Sequence, residues 1–353
     1  MPTTPQYYDG TRLLSMKDVN GDIPEIFLCT TNRTGGKTTW FNRLEVRRFL
    51  NKGQKFMLVY RFNYELDNIS EKFFKDIRGL FFPEWFMLEK NCSKGLYKEL
   101  YITDNPETKG ELCGYAVALN NADALKRFSH LFNDVGSMLF DEFQSETNHY
   151  VPNEVSKFIS LHTSVARGNG QQTRYVPVYM LSNAVTLINP YYAILGISNR
   201  LSDSTRFLKG DGWVLEQGFI DTASEAQKNS AFNRAFAASN YVAYASQNVY
   251  LNDNTAFIER VQGRGRYLVT LLYKNKQYGM REFANEGIIY VDDKPDPNFP
   301  DKMAVTVQDH QINYVMLKRA SVFMEQMRYF FERGCFRFKS LECREAVMTA
   351  LSY

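Results

Sequence analysis

The sequence predicts an α/β fold built on a mostly parallel sheet, and three stretches predict it. In Pro24–Trp40 a short apolar strand (Ile26, Phe27, Leu28, Cys29) runs into a tight loop and then a helix start. In Lys55–Arg61 the run Phe56–Tyr60 is unbroken and apolar, as in a parallel strand buried on both faces. Strand, helix and strand in succession make a βαβ unit. The third stretch, Val135–Phe143, is an apolar strand that reaches two acids, Asp141 and Glu142.

The first loop carries Thr34-Gly35-Gly36-Lys37-Thr38-Thr39, the tail of a phosphate-binding loop. In such a loop backbone N–H groups and a helix N-terminus face an anion. Lys37 reaches the β/γ-phosphates of ATP and the Thr38 hydroxyl sits on Mg2+. The usual spacing opens on a glycine, where this chain has Thr31, so an ordinary β-to-α turn competes. Context favours the phosphate loop. A strand precedes it, and a helix from Thr38 to Lys52 follows, with Phe41, Leu44 and Phe49 at helical spacing and Gly53 past its end.

Met138-Leu139-Phe140-Asp141-Glu142 is the Walker B pattern. Asp141 is expected to hold Mg2+, and Glu142 to orient and polarise the water that attacks the γ-phosphate. By itself the motif reads equally as a strand ending in a solvated acidic turn. With the phosphate loop upstream, it specifies a P-loop nucleotide hydrolase of the ASCE, RecA-like class.

The remaining elements follow in order. Residues 1–23 are polar and irregular, anchored by Tyr7, Tyr8, Leu13 and Leu14. Ser70–Gly79 reads as a short helix with a serine cap, 84–120 as a β-rich excursion, and Ala122–Leu131 as a helix. Asn153–Arg167 is a helix with Val155, Phe158, Ile159 and His162 on one face. The glycine-rich loop after it holds Arg167 and Arg174. Either arginine suits a finger that stabilises transition-state charge on a neighbouring subunit's nucleotide, with Arg167 preferred. An exposed loop with inert arginines is the competing reading. Tyr175–Leu181 is another buried strand, closing on Ser182-Asn183. Asn183 is placed to contact the γ-phosphate or the attacking water, or is simply a turn residue. Residues 189–220 complete the sheet and a lid.

Asp221 to about Asn248 has helical spacing (Ala226, Phe232, Phe236, Tyr241, Tyr244) and reads as a helical linker, or as a plain helix packed on the core. From Asn254 the pattern turns β-rich, with strands at Ala256–Val261, Tyr267–Tyr273, Tyr278–Phe283 and Gly287–Val291, then helices at 312–333 and 340–351. The expected division is 1–220 for the ATPase domain, 221–253 for the linker and 254–353 for a smaller α+β domain. Arg260, Arg264, Arg266, Lys274 and Lys276 surround Gly263 and Gly265, a pattern suited to sequence-independent phosphate-backbone contact. Ordinary surface charge on a turn explains any one of them as well.

Composition limits the alternatives. The chain has 353 residues, 44% of them hydrophobic, and a net charge of +3. That excess lies wholly in residues 254–353, with 15 basic against 12 acidic side chains. Five scattered cysteines without a C-x-x-C pair predict a reducing, cytoplasmic setting and no zinc site. Four dispersed histidines make no ligand set. No apolar run is long enough to span a bilayer, and the N-terminus lacks the pattern of a signal peptide.

Asn32-Arg33-Thr34-Gly35-Gly36-Lys37, Phe128–Phe143 and the polar strand end Ser182-Asn183 resemble the viral genome-packaging ATPases of the large-terminase type. The compact length is most similar to the phi29-like DNA encapsidation ATPases. The resemblance is specific over about residues 24–195 and thin beyond. It implies a motor driving double-stranded DNA into a procapsid, in a homomeric ring of five at the portal, with a structural packaging RNA as a further partner. It assigns Arg33 to the catalytic set beside Glu142. It also implies an RNase H-like C-terminal domain, whose nuclease activity needs acids on its first central strand. Tyr267–Tyr273 has none, so that domain is expected to cut nothing. On the residues alone, a nucleoside or small-molecule kinase, a helicase-like DNA ATPase and a scaffold with a decayed site remain open.

Overall fold

The computed structural model describes residues 6–147, 149–168, 170–186, 189–198, 200–201, 205–236, 258–316 and 321–351. It divides into two compact units, Met1–Ala184 with Ser204–Val249, and Val185–Asp203 with Tyr250–Tyr353. Among the described residues no helix is long and apolar enough to cross a membrane.

The strands of the first unit are β1 (Ile26–Thr31), β2 (Lys55–Tyr60), β3 (Phe86–Cys92), β4 (Tyr97–Thr103), β5 (Glu111–Ala118), β6 (Val135–Asp141), β7 (Val178–Asn183), β8 (Phe207–Gly210) and β9 (Trp213–Gln217). They form one sheet in the order β3-β4-β5-β2-β6-β7-β1-β9-β8. Its centre is parallel: β2 pairs β5 and β6, β7 pairs β6 and β1, and β1 pairs β9. The phosphate-loop strand β1 and the acid-ending strand β6 are therefore separated by one strand, β7. Phe27, Phe41, Phe49, Phe56, Leu58 and Leu139 are buried together between this sheet and the helix Lys37–Lys52. The β-rich excursion extends the parallel sheet by an antiparallel β3-β4-β5 edge.

Local chemistry explains where boundaries moved. The strand expected at Tyr175–Leu181 begins at Val178, because Pro177 has no N–H to give a ladder. β6 stops at Asp141 because Glu142 takes a left-handed φ of 56°. The helix Glu154–Ala166 buries Val155, Phe158, Leu161 and Val165, while the expected core residue Ile159 is 55% exposed. Ala122–Leu131 is a single α-turn that tightens into a 3-10 helix from Lys126.

The stretch expected to form a helical linker holds the helices Asp221–Asn229 and Ala231–Ala235, separated by Ser230, whose Oγ accepts from the Asn233 N–H and so starts the second turn afresh, and it is grouped with the first unit. Its expected buried face is not buried. Ala223 and Ser224 are covered, while Phe232 and Phe236 are exposed and pack against each other with tilted rings. Tyr241, Tyr244 and the rest of that predicted stretch, with the first predicted residues of the next strand, lie outside the described residues.

The second unit holds β10 (Arg266–Tyr273), β11 (Lys276–Phe283), β12 (Ile288–Asp292), β13 (Lys302–Ala304), β14 (Val315–Met316) and β15 (Phe336–Phe338). The order is β14-β13-β10-β11-β12-β15, with β10-β11-β12 an antiparallel meander and β13 and β14 added parallel beside β10. This is the arrangement expected of an RNase H-like sheet. The segment predicted to begin a helix at 312 is instead β14, because Tyr314 packs against Leu272 and Ala304 and draws the chain along β13. A helix spans Ser321–Glu332, with residues 317–320 outside the described residues, and another spans Leu341–Leu351. The latter packs against the short helix Pro190–Leu195, which groups residues 185–203 with this unit rather than with the sheet expected to contain them.

Candidate functional site

Ligands of open parallel sheets bind outside the carboxyl ends of the strands. At those ends β1 delivers the phosphate loop, β6 delivers Asp141-Glu142, β7 delivers Asn183 and β2 delivers Arg61.

The loop is shaped by its backbone. Thr34 and Gly36 have φ of 61° and 87°, with Gly35 between them outside that region, so successive N–H groups turn toward one concavity. Gly36 also caps the helix Lys37–Lys52. A Cβ there would meet the Tyr7 ring at 3.3 Å, and one on Gly35 would meet Ile220 at 3.0 Å. The N-terminal segment thus lies on the loop. The Tyr8 N–H donates to the Gly35 carbonyl at 2.8 Å, and the buried Tyr8 hydroxyl donates to Glu216 at 2.8 Å. On its other side, Asn32 exchanges two hydrogen bonds with the Ile220 backbone, at 3.1 and 3.0 Å.

Lys37 is buried and its Nζ donates to Asn183 Oδ1 at 2.7 Å. Thr38 Oγ1 donates to Asp141 Oδ2 at 2.8 Å. The two residues predicted to hold Mg2+ therefore converge, and they are hard oxygen donors of the type that ion takes. They line a cavity of about 310 Å³ with Asn42, Tyr60, Arg61 and Glu142. Glu142 stands at the mouth of the cleft, with its N–H on Asp141 Oδ1 at 2.9 Å. Its carboxyl is raised above the ordinary range, first by partial withdrawal from water and then by the Asp141 and Glu146 carboxylates, with Lys37 and Arg33 opposing. A raised pKa makes it a stronger proton acceptor. Arg33 reaches this group too, through an ion pair with Glu146. Thr39 lies in the first turn of the helix.

The two candidate fingers differ. Arg174 donates to the Val135 and Val165 carbonyls at 3.2 and 2.7 Å and so ties its loop to the start of β6. Arg167 is exposed and touches only the Ser129 hydroxyl, at 3.4 Å, among the hydrogen bonds resolved for it. Its loop sits beside the beginning of β6, whereas Asp141 ends that strand. Six residue steps separate Val135 from Asp141, about 20 Å of extended chain. Arg167 is thus far from its own phosphate loop.

The five basic residues expected to form one patch do not. Arg266 opens β10, whereas Lys274 and Lys276 stand at its other end, in the β10–β11 turn. Each of these three has an acid partner: Glu282 at 2.6 Å, Glu345 at 2.6 Å and Glu342 at 2.9 Å. Arg260 and Arg264 are exposed on the approach to β10. Asp292 and Asp293 are also partnered, Asp292 by Arg281 at 2.5 Å and Asp293 by Lys339.

Sequence reasoning missed Asn32, Arg61, Glu146 and Glu154, whose buried carboxylate accepts from Arg61 Nε at 2.9 Å. Arg61 carried a usable signal, since it directly follows a buried parallel strand. The other three had none, because their partners lie far along the chain.

The family profile described as Podovirus DNA encapsidation protein (Gp16) matches residues 4–351. The DNA packaging protein of Bacillus phage PZA is 28% identical over 302 residues, covering 82% of this chain and 84% of that protein. Its counterpart from Bacillus phage phi29 is 27% identical over the same coverage. The fold is similar to a chain of the bacteriophage Phi-29 viral genome packaging motor assembly, with a TM-score of 0.56 and 23% identity over 97% of each chain. It is also similar to the Phi-28 gp11 DNA packaging motor, with a TM-score of 0.61 and 16% identity over 99% of each chain.

Proposed function

The chain belongs to the Podovirus DNA encapsidation protein family, and on that premise we propose that it is an ATP-driven motor moving double-stranded DNA into a preformed procapsid. The observation that carries this reading is the meeting of Lys37, Thr38, Asp141, Glu142 and Asn183 at the carboxyl ends of the neighbouring strands β6, β7 and β1.

ATP enters over the phosphate loop, where the N–H groups of Thr34–Thr39 and the Lys37 ammonium hold its phosphates. Thr38 and Asp141 are the residues that would hold Mg2+, which when bound would neutralise charge on those phosphates. Glu142 accepts the proton of the attacking water. Asn183, the partner of Lys37, senses whether a γ-phosphate competes for that ammonium. Arg33 exchanges Glu146 for phosphate oxygens. Arg167, remote from its own nucleotide, serves the neighbouring subunit, which requires a ring; five subunits at the portal suit this family resemblance. Residues 1–184 and 204–220 act as the ATPase domain, 221–253 as the linker, and 254–353, with 185–203 grouped beside them, as a domain that touches nucleic acid. Arg260 and Arg264 are its phosphate contacts, with the packaging RNA a further partner. That domain works without nuclease chemistry: β10 carries no acid, and Asp292 and Asp293 are committed to Arg281 and Lys339. The motor acts in the infected cytoplasm.

The test is steady-state ATP hydrolysis by the wild type and Glu142→Gln, with and without double-stranded DNA. DNA-stimulated turnover that falls about 10²–10⁴-fold in the variant, the usual worth of a general base, is the expected result. Turnover indifferent both to DNA and to the substitution overturns the motor reading.

A further inference from the structure

β1 and β9 run side by side in parallel, and where their ladder ends the Gly218 N–H donates to the Thr30 carbonyl at 2.8 Å. Beyond that point the chain after Thr31 turns into the phosphate loop. There the Asn32 side chain continues the pairing. Its Nδ2 donates to the Ile220 carbonyl at 3.1 Å, and its Oδ1 accepts the Ile220 N–H at 3.0 Å. A primary amide carries donor and acceptor side by side, so it satisfies both groups of a peptide unit as a neighbouring strand would. Asn32 is 1% exposed, so water does not compete for these bonds. The loop backbone is left free to curve toward the phosphates while its side chain stays anchored to the sheet.

The anchor point is the start of a helix. Ile220 caps Asp221–Asn229, and its carbonyl also accepts the Ser224 N–H at 3.0 Å, the first bond of that helix. Gln227 lies seven residues on and therefore on the same helix face. Its amide donates to the hydroxyl of Thr34, the loop residue with φ of 61°, at 3.3 Å. The helix also holds the N-terminal segment: the Thr222 hydroxyl accepts the Gln6 N–H at 2.9 Å and lies 3.2 Å from the Gln6 carbonyl. That segment returns to the loop through the Tyr8 N–H on the Gly35 carbonyl. Loop, helix and segment thus close a circuit of hydrogen bonds. Ile220 Cγ1 lies 3.0 Å from the place a Cβ on Gly35 would take, so a shift of the loop toward the helix meets a side chain at once.

We propose that Asn32 is a positioning residue that holds the phosphate loop in its anion-binding curve and, through Ile220, makes the helix Asp221–Asn229 respond to nucleotide in the loop. Gln227 is the second point of contact. This rests on the reading of the loop as nucleotide-binding. The helix opens the stretch that leads out of the ATPase domain, so occupancy of the loop is passed along the chain without any bond to the nucleotide itself.

The experiment uses the full chain. Amide hydrogen exchange is followed by mass spectrometry with and without saturating AMP-PNP and Mg2+, and affinity is measured by titration with a fluorescent N-methylanthraniloyl ATP. In the wild type, exchange is expected to slow about tenfold over residues 220–229 as well as over the loop. Asn32→Ala removes both bonds to Ile220. Its affinity should fall about tenfold, the worth of two net hydrogen bonds. At saturating nucleotide its loop amides should still slow, while those of 220–229 change by less than about twofold. Gln227→Ala alters a half-buried position on the helix and keeps the test valid should Asn32→Ala fail to fold; it should cut the response of 220–229 by at least about threefold. A clasp that only holds the fold predicts otherwise: a lower melting temperature with the nucleotide response of the helix intact. That result overturns the proposal, as does a wild-type helix indifferent to nucleotide, or unchanged affinity in a folded Asn32→Ala. Failure of the underlying reading looks different: the wild type then gives no titration signal, and nucleotide slows exchange nowhere in the loop.

Discussion

Glu45 offers a stability test of the packing beneath the site. It lies on the helix Lys37–Lys52, is 0% exposed, and accepts one hydrogen bond, from the Ser137 hydroxyl of β6 at 2.5 Å. Its second oxygen has no partner among the described residues. Burial pushes the carboxyl up to about 7, with the Ser137 bond and the nearby Arg48 charge opposing. The unfolded chain holds the same group near 4.5. Protons are therefore bound more tightly in the folded state. The associated stability is complete below about pH 4.5, declines as pH rises through 7, and is gone above it. Integrated over that difference, with 1.36 kcal/mol per unit, the native state loses about 2–3 kcal/mol more at pH 8 than at pH 5. Glu45→Gln does not titrate. Its melting temperature relative to wild type should rise by about 5–10 °C between pH 5 and pH 8, at roughly 2–4 °C per kcal/mol. Differential scanning fluorimetry of both proteins across that range measures it. Parallel melting curves at every pH would refute the reasoning.

Further outcomes follow from the geometry. Gly36→Ala forces a Cβ into a left-handed position against Tyr7 and should weaken binding of a fluorescent ATP analogue by about tenfold, for a strain of about 1–2 kcal/mol; unchanged affinity in a titration contradicts this. Arg167→Ala should spare nucleotide binding yet poison DNA-stimulated hydrolysis when mixed with wild-type subunits. Arg174→Ala should instead lower the melting temperature, since its guanidinium holds the Val135 and Val165 carbonyls. Arg260→Ala with Arg264→Ala should reduce the salt slope of double-stranded DNA binding by about 2, near 0.9 per phosphate contact. Lys274→Ala with Lys276→Ala, which only frees Glu345 and Glu342, should leave that slope unchanged.

The α/β class, the phosphate loop, the acid-ending strand and the family resemblance were all legible in the chain alone, and the family match over residues 4–351 bears the resemblance out. These signals are local: a glycine at a left-handed turn, an apolar run that must be buried on both faces, acids that must emerge at its end. Asn183 was legible for the same reason, as the polar end of a buried strand, although only the fold sets its oxygen 2.7 Å from the Lys37 ammonium.

What the tertiary structure alone decided depends on partners distant in sequence. Arg167 and Arg174 look equivalent in one loop, yet one guanidinium is spent on backbone carbonyls and the other faces solvent. The five basic residues around Gly263 and Gly265 look like one patch, but the length of β10 sends them to opposite ends and acids from the last helix claim two of them. The clasp of Asn32 on Ile220 and the brace of Arg61 on Glu154 join residues 188 and 93 positions apart. Periodicity and turn chemistry report which face a residue presents to its own segment. Only chain closure reports which charge meets which across segments, and at this site that pairing separates side chains that hold the fold from those left for the nucleotide.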